Sequence, residues 1–149
     1  MKLLDSIRVI LKEKGHDVWA VSPDASVYDA IEMMTDKQVG ALLVFSEGRL
    51  AGVISERDYA RKVILKGKSS KHTPVGEIMT TPVISVTPRH SVDDCMTLMT
   101  QHRIRHLAVI EDEQVVGVIS IGDLVKWIIS AQDETIHQLE NYITGKYPA

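Results

Sequence analysis

Apolar residues along the chain fall into two kinds of short run. The first kind recurs at helical spacing: Val27, Ala30, Ile31 and Met34, then Val92, Cys95, Met96 and Met99. Positions i, i+3, i+4 and i+7 make one face of a helix, and Ser26 and Ser91 stand just before the two sets as N-caps. The second kind is continuous and β-branched, over residues 41–45 and 50–54 and again over 107–110 and 115–119. Ser46-Glu47-Gly48-Arg49 and residues 111–114 separate the members of each pair, which predicts strands that form a hairpin or lie side by side in one sheet. Residues 18–22 and 83–87 read as short extended segments ending at Pro23 and Pro88, because the residue before a proline is pushed out of the α region. Second helices start at Ser55 and Ser120, carrying Tyr59, Val63 and Ile64 in one case and Leu124, Trp127 and Ile128 in the other.

The two sets are copies. Sliding the chain by 65 positions lays residues 21–58 on 86–123 without a gap, and 14 of the 38 aligned positions are identical. They include Pro23/Pro88, Ser26/Ser91, Asp29/Asp94, Met34/Met99, Gly52/Gly117, Ser55/Ser120 and Asp58/Asp123. A shared helical period alone would not match glycines, prolines and aspartates together, so one β-α-β-β-α unit is duplicated. The expected fold class is α+β, with tandem pseudo-symmetric repeats, a short N-terminal helix and a C-terminal helix. The N-terminal helix is capped by Asp5 or Ser6 and stopped by Gly15. Residues 67–73 form a polar linker, and 75–79 a helical turn. Beyond Ile129, a further helix carries Ile136, Leu139 and Ile143 and ends at Gly145. The halves are then 1–73 and 74–149. One copy alone would be a marginal core, so the copies, or two chains, must pair.

Composition narrows the function. Seventeen Lys and Arg against twenty Asp and Glu give a net charge of −3, so no overall basic field recruits nucleic acid. The single cysteine, Cys95, excludes an intramolecular disulfide framework and favours a cytoplasmic setting. No apolar run approaches the roughly 20 residues of a membrane span, and the first fifteen residues are too charged for a secretory signal.

Candidate chemistry sits at the duplicated Gly-x-x-Ser-x-x-Asp, Gly52-Val-Ile-Ser55-Glu-Arg-Asp58 and Gly117-Val-Ile-Ser120-Ile-Gly-Asp123, where a strand turns into a helix. A hydroxyl and unpaired amides at a helix start favour phosphate. An aspartate one turn in can accept hydrogen bonds from both ribose hydroxyls. A purely structural role competes, because Ser-x-x-Asp also resembles a capping box with Asp in place of Glu, and Ser26-x-x-Asp29 and Ser91-x-x-Asp94 repeat it. Arg103 and Arg105 alternate with apolar Ile104 and Leu107, so in a strand both arginines would leave one face together and attract an anion.

Tandem copies with this turn resemble a CBS domain pair, or Bateman module, over residues 18–129. Val75-Gly-Glu-Ile-Met79-Thr80 is similar to the usual entry into a second repeat, and Arg103-Ile-Arg105-His106-Leu107-Ala108-Val109 to the family's basic segment, with Ala108 where proline is common. The resemblance implies a stand-alone regulatory module that binds AMP, ATP or NAD(H) in clefts between its repeats and acts by a change of shape or of oligomeric state. It implies that Asp58 and Asp123 take the ribose and Ser55 and Ser120 the phosphate side. Arg57, Arg105 and His106 would serve the Asp58 cleft, and Met79, Val83 and Ile84 would wall the adenine. The pseudo-symmetric cleft of Asp123 would use Val18, Gly40 and Ala41. It is expected to be the weaker, because Gly40-Ala41 offers no cation and Gly122 replaces Arg57. The partners expected are a second copy of the chain and a regulated enzyme or transporter. The alternative is a dimerisation or docking protein with vestigial clefts.

Other signals lead nowhere. Gly67-Lys68-Ser69 lacks the first glycine of a P-loop. His102 and His106 straddle a helix end and a strand start with no carboxylate between, so no metal is expected. No Gly-x-Ser-x-Gly elbow occurs, and no enzyme is expected. Cys95 and the methionines fit a core.

Overall fold

The computed structural model describes residues 2–143, with side chains described for 3–130 and for 137, 139 and 140. A 3-10 turn at Lys2–Leu4 precedes α1 (Arg8–Lys14). The first repeat runs β1 (Ala20–Val21), α2 (Val27–Lys37), β2 (Ala41–Ser46), β3 (Arg49–Ser55) and α3 (Glu56–Tyr59), which continues as a π-helix over Ala60–Ile64. After α4 (Val75–Ile78) the second repeat gives β4 (Ser85–Val86), α5 (Val92–His102), β5 (His106–Glu111), β6 (Gln114–Ser120) and α6 (Ile121–Ile143). Two three-stranded sheets result, ordered β1-β2-β3 and β4-β5-β6. The duplication read from sequence is therefore a duplication of sheets.

Within each sheet the last two strands form a hairpin. Ser46 faces Arg49 across Glu47-Gly48, and Glu111 faces Gln114 across Asp112-Glu113. All four turn residues have positive φ (52° and 77°, then 52° and 64°), the double left-handed turn whose twist matches that of the strands. Gly48 meets that requirement without strain; in the second copy Asp112 and Glu113 accept it at some cost in energy. Both hairpins carry a register shift at the same place, between Val44 and Phe45 and between Val109 and Ile110.

The described chain resolves into two compact units, one of Asp17–Ser85 and the other of Met1–His16 with the chain from Val86 onward. We call them the Asp58 unit and the Asp123 unit. The sequence halves 1–73 and 74–149 cut the chain differently, because the helix that precedes each repeat joins the other repeat. The physical cause lies at the central glycine of each hairpin. A Cβ on Gly52 would stand 2.7 Å from Met79 Sδ and 3.1 Å from Thr80 O, and one on Gly117 would stand 2.7 Å from Leu11 Cδ2. Each glycine leaves a slot that a residue of the incoming segment fills. In the Asp58 unit Val27, Ala30, Met34, Leu42, Val44, Ile54, Val63, Val75 and Ile78 form one buried core. In the Asp123 unit Ile7, Leu11, Val92, Cys95, Leu107, Val109, Ile119 and Leu124 are each at most 1% exposed.

Four local expectations are corrected. Neither Asp5 nor Ser6 caps α1. Its N-cap is Ile7 without a side-chain bond, because Asp5 O accepts Val92 N–H and Ser6 bridges to Ser91. The residues beyond Ile129 continue α6 instead of starting a new helix, since no glycine or proline interrupts 123–143. Of the apolar set expected there, Leu139 is 58% exposed, while the side chains of Ile136 and Ile143, and Gly145, lie outside the described residues. In the first repeat Leu65 N–H reaches Ala60 O, an i to i+5 bond, and the widened turn leaves Ile64 58% exposed. Arg103 does not share a strand face with Arg105. It is the left-handed C-cap of α5 (φ 53°), matching Gln38 at the end of α2 (φ 57°), and β5 begins only at His106.

The polar linker also has structure. Ser70 O and Thr73 O accept the orphan N–H groups of Tyr28 and Val27 at the start of α2, and buried Thr73 donates its hydroxyl to Ser69 O at 2.7 Å.

Candidate functional site

All four Ser-x-x-Asp starts are caps. In each, the serine Oγ accepts the aspartate N–H at 3.0–3.2 Å. At Ser55, Ser91 and Ser120 the aspartate carboxylate also accepts the serine N–H at 2.8–3.0 Å, closing the reciprocal box. Asp94 is exposed and does nothing further in the structure. The Ser91 backbone and side-chain hydrogen bonds hold its carboxyl below the usual range. The caps at the ends of β3 and β6 differ, because their carboxylates are held from a second direction.

Asp58 is 7% exposed. Its Oδ2 accepts the Ser55 N–H at 3.0 Å and the Ser55 hydroxyl at 3.1 Å; its Oδ1 accepts the Thr80 hydroxyl at 2.9 Å and pairs with Lys62 Nζ at 3.0 Å. The Lys62 ammonium also donates to Ile78 O at 2.9 Å. Backbone pairing places these groups: Thr80 and Val53 exchange two hydrogen bonds, so the end of α4 runs along β3 beside the turn. Met79 joins them at Gly52. Gly40 and Ala41 lie on the other side, with Ala41 opposite Ser55 and Gly40 O accepting Glu56 N–H. Arg57 is half-buried on the turn itself, while Val18, Val83 and Ile84 are half-buried in the extended segments of this unit.

In the Asp123 unit, Asp123 Oδ2 accepts Ser120 N–H at 2.8 Å and pairs with Lys14 Nζ at 2.6 Å, and Lys14 also donates to Val118 O at 2.6 Å. His106 is the register partner of Ser120, and Arg105 O accepts Ile121 N–H, so Arg105 and His106 flank this turn as Gly40 and Ala41 flank the other. Burial, reinforced by the cations of Lys14 and Arg105 and opposed by Asp123, lowers the His106 pKa to about 4, so the ring is neutral near pH 7. Arg105 is exposed.

Sequence reasoning thus found both turns and missed the lysines. Asp58 and Lys62 are one helical turn apart, a spacing that pairs opposite charges on a helix, so Lys62 was recoverable. Lys14 was not, since 109 residues separate it from Asp123. At the Asp123 turn, where Gly122 stands in place of Arg57, α1 supplies the cation that pairs with the carboxylate. The Cys95 thiol is inert: burial and the neighbouring Asp94 charge push its pKa up to about 12, far from a thiolate. Among the described residues no cluster of three or more His, Cys, Asp and Glu could hold a metal, and no helix is long and apolar enough to cross a membrane.

Comparison with known proteins gives a consistent answer. The CBS domain model matches residues 14–65 and 75–130, one match for each repeat. The mitochondrial CBS domain-containing protein CBSX3 of Arabidopsis thaliana is 44% identical over 152 aligned residues, covering 95% of this chain and 73% of the plant protein. A solved CBS-domain protein from Burkholderia ambifaria MC40-6 is 49% identical with a TM-score of 0.83, covering 86% of this chain and 96% of that one. A hexameric CBS-CP12 protein from bloom-forming cyanobacteria is 30% identical with a TM-score of 0.73, covering 83% of this chain and 67% of that one. CBS domains commonly serve as regulatory, ligand-binding modules. Two tandem sheets, two Gly-x-x-Ser-x-x-Asp turns and two family matches together place this chain in the CBS-domain family, as a CBS pair.

Proposed function

We propose that the chain is a regulatory module that binds an adenine nucleotide (AMP, ATP or NAD(H)) and answers with a change of conformation or assembly. The observation that carries this reading is Asp58, a carboxylate 7% exposed at a strand-to-helix turn and held on both oxygens. A cap needs only the oxygen that meets Ser55 N–H. The exposed Asp94 shows that a reciprocal box forms without burial or a second set of donors. A carboxylate already surrounded by hydroxyl and ammonium donors is arranged to accept a ribose diol in their place.

Ser55, Arg57, Asp58, Met79, Val83 and Ile84 are the proposed ligand residues of one unit, with Val18, Gly40 and Ala41 beside them in the same unit. In the other unit they are Ser120, Asp123, Arg105 and His106. Calorimetric titration with AMP, ADP, ATP and NADH is expected to show binding of at least one, with Asp58→Ala removing most of it; unaltered binding in that variant would refute the assignment. Arg105→Ala tells which turn Arg105 serves, by matching the loss seen in Asp58→Ala or in Asp123→Ala.

The regulatory reading leaves catalysis to another protein, an enzyme or transporter that the module controls. Assembly follows the same reading, with a homodimer as the expected state, measured by light scattering with and without nucleotide. A second reading, a docking protein with unused turns, is favoured by Val125, Ile129 and Leu139, which are 41–58% exposed on α6. It prevails if no nucleotide raises the melting temperature. We place the chain in the cytoplasm on its single buried cysteine, with cell fractionation as the check; the plant relative is described as mitochondrial.

A further inference from the structure

Both turn carboxylates are gripped by a lysine that also holds a backbone carbonyl, but the two lysines come from different places. Lys62 belongs to the helix that follows Ser55, four residues from Asp58. Lys14 is the last residue of α1 and reaches Asp123 across 109 residues of sequence. Its ammonium sits 2.6 Å from Asp123 Oδ2 and 2.6 Å from Val118 O. One residue beyond Gly15, His16 Nδ1 contacts Val116 O at 2.7 Å. Residues 14 and 16 are thus pinned to alternate carbonyls of β6. The body of α1 is anchored separately, by Ile7, Ile10 and Leu11, each at most 5% exposed.

We propose that Lys14 is a built-in competitor for the ligand at Asp123, so that a ribose diol binding there displaces the ammonium and loosens the end of α1 from β6. The inference rests on the reading of Asp123 as a ligand-accepting carboxylate. Asp123 Oδ2 already accepts a lysine N–H and the Ser120 amide, so a diol hydroxyl can use this oxygen only in place of the ammonium. A displaced Lys14 also leaves Val118 O, so that end of α1 keeps only the His16 contact with Val116 O. The buried leucine and isoleucines keep the rest of the helix in place, so the change is confined to its C-terminal end. That end is the chain connection, because Asp17 begins the other unit. In the Asp58 unit the coupling is weaker: Lys62 would leave Asp58 and Ile78 O as a side chain of the turn's own helix, and Thr80 would stay paired to Val53 through its backbone. The duplicated turn therefore has one copy that binds locally and one whose occupancy is transmitted to a connecting segment.

The test uses the full chain with Asp58→Asn throughout, so that titrations report on Asp123. Adenosine is the probe, since it brings the diol without a phosphate that Lys14 could attract. In that background Lys14→Met, which keeps the aliphatic stem, should bind adenosine about three- to tenfold more tightly, the size expected for losing one partly exposed charged competitor. Hydrogen exchange of amides 15–18 should accelerate when adenosine binds to the Lys14 protein, and should be fast from the start in Lys14→Met. Lys14→Gln should behave like Lys14→Met. Equal or weaker adenosine binding by both variants overturns the proposal, as does slower exchange on binding. Adenosine bound by the unmodified chain but not by the Asp58→Asn protein overturns it while leaving the nucleotide reading intact. No binding of adenosine or AMP by the unmodified chain removes the nucleotide reading itself, and the proposal with it.

Discussion

Ser55–Asp58 and Ser120–Asp123 share one sequence pattern, one hairpin and one reciprocal cap, and each carboxylate meets a lysine, yet the side chains around them come from different parts of the chain. Asp58 is buried and meets Thr80 and its own helix's Lys62; Asp123 is more exposed and meets Lys14 from a distant helix. Beside Asp58 the strand opens with Gly40-Ala41, beside Asp123 with Arg105-His106. Duplication preserved the backbone device, and divergence acted on the side chains delivered to it by the segments between the repeats. The lesson is that a repeated motif fixes where a polar site can be, while the segment packed against it sets what the site can do.

The comparison can be broken most sharply by binding. Replacing Asp58 by alanine removes both hydrogen bonds to a diol, and nucleotide affinity should fall about a hundredfold, the value of two charged bonds. Asp123→Ala should change total binding by less than about fivefold, the Asp58 turn being the stronger site in the proposed reading. Isothermal calorimetry on both variants decides it, and equal losses would make the two turns equivalent.

The next contrast is in acid. His106 has a folded pKa of about 4 against 6.5 when unfolded, so between these values the unfolded chain takes up a proton that the folded chain refuses. Its contribution is complete above about pH 6.5 and declines by roughly 3 kcal/mol as the pH falls toward 4. The corresponding position of the other repeat is Ala41, which cannot titrate. Denaturant unfolding of His106→Gln at a series of pH values should show a shallower loss over that window. An unchanged slope would mean that His106 is not its source.

A smaller effect separates the two glycines. Gly52→Ala meets Met79 and the Thr80 backbone oxygen, whereas Gly117→Ala meets only the tip of the Leu11 side chain, which can rotate. Gly52→Ala should cost about 1–3 kcal/mol, with Gly117→Ala at the low end of that range or below it, as read from thermal unfolding. Smallest is the pair of helix caps. Ser91→Ala loses a reciprocal box and should cost about 1 kcal/mol; Ser26→Ala loses one side-chain bond and should cost less. A larger loss at Ser26 would show that the reciprocal bond carries no stability.

Much of the architecture was written in local pattern. The 65-residue offset gave the duplicated strands and helices and the serines that start the helices, because these depend on neighbours within about ten residues; the choice of hairpins and the parallel pairing of Ala20 with Leu43 do not. The errors share one cause. Alternation places Arg103 in a strand because it ignores the left-handed cap that ends α5, and Asp5 or Ser6 suggests a side-chain cap for α1 because nothing local shows Asp5 O engaged by Val92. The join beyond Ile129 was misjudged from apolar spacing alone, although 123–143 contains no helix breaker.

The repeat, the strand-to-helix turns and the acids on them are legible in the residue order alone, since covalent order and side-chain period suffice for elements closed by short loops. Long-range packing is what joins α1 to the second repeat and α4 to the first, and what brings Thr80 to Asp58 and Lys14 to Asp123. These pairings follow from which side chain fills the slot over each hairpin glycine and from which ammonium can reach a carboxylate. Such choices depend on packing between residues far apart in the chain, and no local pattern encodes them.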